Sequence, residues 1–593
     1  MPSLSVIHRL SIPAPATHLV HVETTVFDTG DRLPDVLVAF MAVWTPGSYL
    51  VREYARHVES FEAEAPARAS KIRKNAWRIK TGDGSRIVVR YRVYAGELTV
   101  RTSHVDGSHA FLVGAALFLA IEGHEGVGAR VEIAAPAGWR VASSLRRAAG
   151  AENVHLLEAP DFETLVDSPI EIGTHRSESF DVLGKPHRYA ICPARAIGSA
   201  DLKRLVDDTR TIIETEANLF GGKLPYAEYD LILHLSARAR GGLEHRSSAA
   251  LIAPASSFVS RDGYLDLLSL VAHELFHVWN AKLIRPAGLW PYRYQEECYT
   301  RLLWWFEGAT SYYDWRVLAL SRLCTLEEYL DHLGAEIAYL DHTHGRLVQS
   351  LEDASYDAWI KLYRPDENSS NASVSYYRKG EVVCALLDIE LRARTGGRAT
   401  LEAVVKHLWE EFGLRERPVP EDGMQSILEG VAQTPLADLF DAWIRTPGEI
   451  DYAATLARVG LSLERTARPE AASASLGVRL RSDAGRTVVA TVMRESSADR
   501  AGISAGDELV AIDGVRIDGA NIDASLRGTR AGQSIDVALV RDGRLLNVSA
   551  RLDPPRLDRV KIVAQRDAMP GAREAFTAWL GQPWPAARSR ASP

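Results

Sequence analysis

The sequence predicts a multidomain α+β chain: a β-rich N-terminal part, a mostly helical middle and a small β-rich C-terminal module. Three observations carry this. Apolar residues recur with period two up to about residue 170 and with a helical period from about 171 to 455. Short alternating runs return beyond a linker-like joint at 466–474. A chain of 593 residues can hold several full cores. The expected divisions are 1–170, 171–465, 466–555 and a C-terminal tail, 556–593.

In the first part, residues 19–26, 36–44 and 86–93 read as strands. The last of these, Arg-Ile-Val-Val-Arg-Tyr-Arg-Val, mixes basic and apolar side chains because successive residues of a strand point to opposite faces. Turn chemistry stands at Pro46-Gly47 and Asp83-Gly84. In the middle, residues 201–218, 265–282, 299–320, 376–395 and 401–412 read as helices, and 229–235 as a strand. The C-terminal module shows strands at 488–493, 508–512 and 534–540, separated by glycine-rich turns. One short helix, 573–580, precedes a Pro/Ala/Arg/Ser tail expected to fray.

The composition, 46% hydrophobic and 25% charged, is that of an ordinary globular protein. Net charge is −8, from 69 basic against 77 acidic residues, without long like-charge blocks. That balance argues against nucleic acid and against an anionic membrane as partners. The longest apolar run, residues 110–121, is too short to span a bilayer. Cys192, Cys298, Cys324 and Cys384 are far apart and read as reduced core thiols. The first residues show no basic segment followed by an apolar core. A cytoplasmic location is therefore expected, or a periplasmic one if a signal has been removed.

The stretch His273-Glu274-Leu275-Phe276-His277 is the most informative in the chain. Two imidazoles four apart lie one turn above each other on one helix face. Their neutral nitrogens suit a tetrahedral zinc and leave room for a third protein ligand and a water. Glu274, next to the first histidine, is placed to reach that water without ligating. This arrangement points to metal-assisted peptide hydrolysis. The plain alternative is a buried helix whose histidines bond backbone.

Three residues compete for the third ligand position. Glu296 and Glu297 stand near the 20-residue spacing familiar from thermolysin-like enzymes, but in Tyr294-Gln-Glu-Glu-Cys298, with no helical apolar face before them. Glu307 lies in Leu303-Trp-Trp-Phe-Glu-Gly-Ala-Thr-Ser-Tyr-Tyr313, where a carboxylate is costly unless it meets a cation. Glu307 is the preferred ligand, and a helix-core pairing with Arg316 is its alternative.

His273-Glu-x-x-His277 runs into Trp279-Asn280 and Ile284-Arg285-Pro286, and Leu-Trp-x-x-Glu307-Gly-x-x-x-Tyr-Tyr follows. With these motifs the chain resembles the glycyl-aminopeptidase family of zinc metallopeptidases, from Trp44-Thr-Pro-Gly-Ser-Tyr49 to about residue 555. The resemblance implies a β-rich N-terminal domain, a thermolysin-like catalytic domain and a C-terminal PDZ domain. It also implies one Zn²⁺ per chain on His273, His277 and Glu307.

Further roles follow from the same resemblance. Gly241-Gly242-Leu-Glu244-His245 is similar to the Gly-x-x-Glu segment with which aminopeptidases hold a free amine. A carboxylate there pairs with an ammonium, and the glycines let substrate approach the backbone. His245 stands where many relatives outside the family have Asn, and a glycine turn with a solvated Glu244 is the alternative. Tyr377-Arg-Lys-Gly380 is similar to the Tyr-x-Lys-Gly whose hydroxyl donates to an oxyanion. Tyr376 is expected to face elsewhere, and a plain core role for Tyr377 is the alternative. Asn280 and Asp314 are candidates for orienting the histidines, with ordinary surface or capping roles as the alternative. Glu274 and Tyr377 are thus the implied catalytic residues.

Ser475-Leu476-Gly477-Val478, with Ser497-Ala-Asp-Arg-Ala-Gly-Ile503 and Gly506-Asp-Glu-Leu-Val-Ala-Ile-Asp-Gly514, resembles a protease-associated PDZ domain. Its four leading residues would cradle a protein C-terminus, unless the catalytic domain covers the groove. The implied function is a zinc aminopeptidase acting on peptides with a free N-terminus. Its preference for N-terminal Gly and Ala comes from the resemblance alone. A PDZ-recruited zinc endopeptidase and a catalytically silent PDZ adaptor are the competing functions.

Overall fold

The computed structural model describes residues 4–28, 32–82, 84–149, 154–467, 473–517 and 522–585, without the side chain of Asp523. Asp83 of the expected turn and residues 468–472 of the expected joint lie outside the described residues. The chain divides into two compact units, Met1–Tyr299 with Val405–Pro420, and Thr300–Val404 with Glu421–Pro593.

The first unit begins with a β-rich domain. Its seven-stranded sheet runs Arg146–Ala148, His155–Ala159, Ala129–Ala134, Leu4–Ser11, Leu19–Asp28, Arg86–Tyr94, Val58–Ala63. Strands Leu19–Asp28 and Arg86–Tyr94 pair antiparallel, so that Val20, Val22, Thr24 and Val26 meet Val93, Tyr91, Val89 and Ile87. All eight are buried, while Arg86 and Arg90 are exposed. Burial of each Val or Ile there stabilises the fold by about 1.5–3 kcal/mol. Strand Val36–Met41 ends short of the expected residue 44. The chain leaves that sheet because Val43 N donates to Tyr294 O and Trp44 Nε1 donates to Arg293 O.

The rest of this unit holds a five-stranded sheet in the order Arg176–Val182, Lys185–Cys192, Tyr229–Ser236, Ser248–Pro254, Gly241–Glu244. Its central strand Tyr229–Ser236 is parallel to both neighbours and buried over its first seven residues, as expected of a strand covered on two faces. Gly241–Glu244 is the edge strand, antiparallel to Ser248–Pro254. Helix Arg261–Phe276 packs on the edge strand and its neighbour, and on helix Ser199–Leu219. It starts at Ser260, whose side chain accepts from Gly263 N. It stops six residues before the expected 282. The chain there closes turns from Val278 to Leu275 and from Trp279 to Phe276, and Ala281 takes φ 127°, outside any helix.

In the second unit the expected helix 299–320 is two helices, Leu303–Phe306 and Gly308–Leu320, broken at Glu307 (φ −107°, ψ −43°). A Cβ at Gly308 would lie 2.6 Å from Gly380 Cα. The second piece therefore crosses helix Tyr376–Thr395 at a distance only paired glycines allow. That helix has the expected bounds, with a Ser375 cap and Gly396 at φ 62° beyond its end. The expected helix at 401–412 is α-helical over Leu401–Leu408 and continues as a π turn, Trp409–Gly413.

The PDZ sheet of this unit runs Val478–Asp483, Arg486–Val492, Glu508–Ile512, Ser534–Arg541, Arg544–Arg551 around a core that includes Leu476, Val489, Ile503, Leu509 and Leu539. Beyond residue 555 the expected helix 573–580 is present as Pro570–Leu580, preceded by a strand that periodicity did not announce, and residues 586–593 of the tail expected to fray lie outside the described residues. Strand Arg559–Ala564 pairs antiparallel with Leu461–Thr466, and helix Pro570–Leu580 buries Phe576, Trp579 and Leu580. Burial of these three large apolar side chains offsets part of the entropy of ordering the segment. Among the described residues no helix is long and apolar enough to cross a membrane.

Candidate active site

The edge strand and the His-Glu-Leu-Phe-His helix approach each other as closely as chemistry permits. A Cβ at Gly242 would lie 1.8 Å from Glu274 Oε1, so only glycine leaves room for that carboxylate. Gly47 does the same for Glu244 from the β-rich domain: it sits at φ 86°, and a Cβ there would lie 2.3 Å from Glu244 Oε2. Glu244 and Glu274 are each 4% exposed. One carboxylate oxygen of each and a ring nitrogen of His277 lie within 4.8 Å of one another. A surface turn with a solvated Glu244 is thereby ruled out.

Strand phase shows what this edge offers. His245 N donates to Ser248 O at 2.9 Å. Hydrogen-bonded pairs alternate along an antiparallel ladder. Leu243 and Gly241 therefore bond inward to Ala250 and Ile252. Gly242 and Glu244 turn their N–H and C=O groups to the outer edge.

The two histidines meet edge to face one turn apart, ring centroids 4.7 Å apart at 86°. His277 is buried, and its Nδ1 stands 2.8 Å from Asn280 O. A carbonyl only accepts, so Nδ1 carries the proton and Nε2 keeps its lone pair for a metal. Asn280 thus orients His277 through its backbone. Two imidazoles one helical turn apart are a donor set that fits zinc.

Behind the strand lies a buried charge pair. Lys282 Nζ donates to Asp167 Oδ1 at 2.6 Å, His245 Nδ1 is 3.3 Å from the same oxygen, and Arg246 N donates to Asp167 Oδ2 at 2.8 Å. Burial by itself would raise the Asp167 pKa, but Lys282 and His245 outweigh it and hold the carboxyl well below its usual range. Burial would likewise lower Lys282, and Asp167 more than reverses this. His245 is therefore a strut to Asp167, which accounts for a histidine beside Glu244.

Glu307 and Tyr377 belong to the second unit. Glu307 is 2% exposed, at the helix break that follows Trp304, Trp305 and Phe306. Its alternative partner, Arg316, is engaged elsewhere: it donates to Trp579 O at 2.7 Å, bonds Glu402 and lies 3.6 Å from Asp388. Tyr377 hydroxyl is 3.1 Å from Tyr363 hydroxyl. Tyr376 departs from expectation. Its ring stacks on Tyr377 at 4.7 Å, and it is fully buried, because the two residues form the first turn of their helix. Burial raises its phenol well above the usual pKa, and Tyr363 and Glu307 add to this. In the PDZ loop, Ser475 exchanges backbone bonds with Asp553, and Gly477 at φ 80° approaches Ser496. Ser475 N is thus committed to Asp553 rather than to a ligand.

Sequence reasoning missed Gly47's role, Arg101, Asp167, Lys282 and Tyr363. A lysine five residues past the second histidine carried a faint signal, since it follows a strongly apolar helix. Gly47 stands in the turn noted at Pro46-Gly47, which gave no hint of its partner, and Arg101, Asp167 and Tyr363 lie in segments with no local motif.

Family models match three stretches: a Peptidase M61 N-terminal domain at residues 8–174, the M61 glycyl aminopeptidase at 266–383 and a PDZ domain at 474–552. Among solved structures the chain is similar to an aminopeptidase N family protein from Idiomarina loihiensis, at 27% identity and TM-score 0.89, covering 97% of this chain and 100% of that one. It is more distantly similar to yeast LTA4 hydrolase (14%, TM-score 0.47, 77% and 71% covered). The M1 zinc metallopeptidase from Deinococcus radiodurans stands at a like distance (15%, TM-score 0.48, 76% and 95% covered). No curated protein matches the chain.

Proposed function

We propose that this chain, a metallopeptidase of the M61 glycyl aminopeptidase family, is a zinc-dependent aminopeptidase that removes small N-terminal residues, Gly and Ala, from peptides. The reading rests above all on one observation: Glu244 and Glu274 stand against one edge strand, each in a space that a glycine keeps open. Glu244 and Gly242 are two strand positions apart, about 7 Å. The closeness of the two carboxylates, within 4.8 Å, supports a free ammonium at Glu244 with the first peptide carbonyl beside Glu274.

His273, His277 and Glu307 are the proposed ligands of one zinc ion. When bound, zinc supplies Lewis-acid activation of water and of the peptide carbonyl. Glu274 accepts the proton released by water and returns it to the departing amine. Tyr377 hydroxyl donates to the oxygen on which charge develops. Glu244 pairs with the substrate ammonium, and Gly242 binds its backbone at the strand edge. The PDZ domain is proposed to take peptide C-termini through Leu476, Gly477 and Val478. Four buried free thiols support a reducing, cytoplasmic setting.

The test is a panel of Gly-, Ala- and Leu-anilides beside their N-acetylated forms, with and without chelator. Turnover confined to free amines, strongest for Gly and Ala and abolished by chelator, is expected. Equal cleavage of acetylated substrates rejects the aminopeptidase reading, and chelator-insensitive turnover rejects the metal.

A further inference from the structure

The outer edge of strand Gly241–Glu244 has a cation at one end. The turn Val100–Arg101, between strands Gly96–Thr99 and Thr102–Val105 of the β-rich domain, stands against its start. A Cβ at Gly241 would meet Arg101 Nη1 at 3.7 Å and Val100 Cγ2 at 3.9 Å. Arg101 Nη2 reaches Gly242 O at 3.3 Å, a long bond to the carbonyl that strand phase turns outward. The turn itself is fixed, since Tyr54 hydroxyl donates to Arg101 O at 2.8 Å and Arg101 N donates to Thr99 Oγ1 at 3.1 Å.

Arg101 is half-buried, and its Nε is a buried donor without a hydrogen-bond partner. Among the described residues no carboxylate lies within ion-pair distance of it, whereas the buried Lys282 and Arg285 each hold an acid. A guanidinium presents donors in a planar fork that matches a carboxylate, and a desolvated one without an acid is costly. The edge is thus bounded by an anion, Glu244, at one end and a cation, Arg101, at the other. A peptide paired along it, amine at Glu244, reaches Arg101 after two or three residues at about 3.4 Å each.

We infer that Arg101 binds the C-terminal carboxylate of the substrate, and that the enzyme is selective for di- and tripeptides. This rests on the aminopeptidase reading, which fixes the amine at Glu244. Arg101 is a specificity residue: it holds the far end of the peptide and takes no part in the proton transfers.

The experiment compares Gly-Ala-Ala, its C-terminal amide and Gly-Ala-Ala extended to ten residues, using the full-length zinc-loaded chain and its Arg101→Met and Arg101→Lys variants. The readout is the ratio of kcat/KM for acid over amide within each protein, so that a general loss of activity cancels. In the wild type the ratio is on the order of tenfold or more and arises mainly in KM, as a charged hydrogen bond requires. Arg101→Met brings it to about one, and Arg101→Lys keeps part of it. The ten-residue peptide is cleaved no better than the amide. A wild-type ratio near one, or a ratio that survives in Arg101→Met, overturns the inference while the free-amine requirement stands. If acetylated and free-amine peptides are cleaved alike, the aminopeptidase reading itself fails and this inference falls with it.

Discussion

Glu274 Oε1 occupies the space that a Cβ at Gly242 would fill, 1.8 Å away. The proposed general base and the strand proposed to pair with substrate are therefore positioned by one contact. Gly242→Ala forces the carboxylate or the strand to move, and a misplacement of about 1 Å is enough to lower kcat on the order of 10²-fold. Steady-state kinetics, beside an unchanged circular dichroism spectrum, checks this.

The proposed division of labour between the acids separates cleanly by experiment. Glu274→Gln lowers kcat by roughly 10²–10⁴-fold and retains zinc. Glu307→Gln lowers zinc content itself. Metal analysis of the dialysed variants beside their activity distinguishes a base from a ligand.

Tyr377 and Tyr363 share a hydrogen bond of 3.1 Å between their hydroxyls. Tyr377→Phe removes the proposed donor to the oxyanion and lowers kcat on the order of 10²-fold with little change in KM. Tyr363→Phe removes only the group that orients Tyr377 and has the smaller effect. Equal effects of the two variants would count against Tyr377 as the donor.

Asp167 and Lys282 form a buried pair whose partner, once alone, becomes a desolvated charge. Asp167→Asn destabilises the fold by about 3–5 kcal/mol, read from urea unfolding. The folded pKa of Asp167 is depressed, so its contribution is fully present above the unfolded value of about 3.9 and is lost as pH falls below it. The variant accordingly loses part of the acid sensitivity of the wild type.

Trp579, fully buried, donates through Nε1 to Tyr312 hydroxyl at 3.0 Å, and its carbonyl accepts from Arg316. Trp579→Ala therefore costs about 3–5 kcal/mol, as for other large aromatic deletions. Thermal unfolding reads it. A loss near zero would mean that the C-terminal helix is dispensable.

Much of the fold was legible from periodicity. Strand 86–93 matches the structure closely because exposed Arg86 and Arg90 alternate with buried apolar residues, and helix 376–395 because its caps at Ser375 and Gly396 are local. Errors fall where long-range contacts override local pattern. The helix expected at 299–320 breaks at Glu307 because Gly308 must meet Gly380, 72 residues on. Strand Arg559–Ala564 was not legible because its partner, Leu461–Thr466, lies far back in the chain.

The sequence by itself determined the chemistry on offer: two imidazoles four apart on a helix, a carboxylate beside them, and a glycine-rich strand ending in Glu244. Those spacings follow from 3.6 residues per helical turn and two per strand repeat, rules that act within a few residues. Only the tertiary structure decided which groups those elements meet. Gly47, Arg101 and Asp167 come to the edge strand from positions 78 to 197 residues earlier than their partners Glu244, Gly242 and His245. No local periodicity reaches that far, so their placement follows from packing the β-rich domain against the sheet.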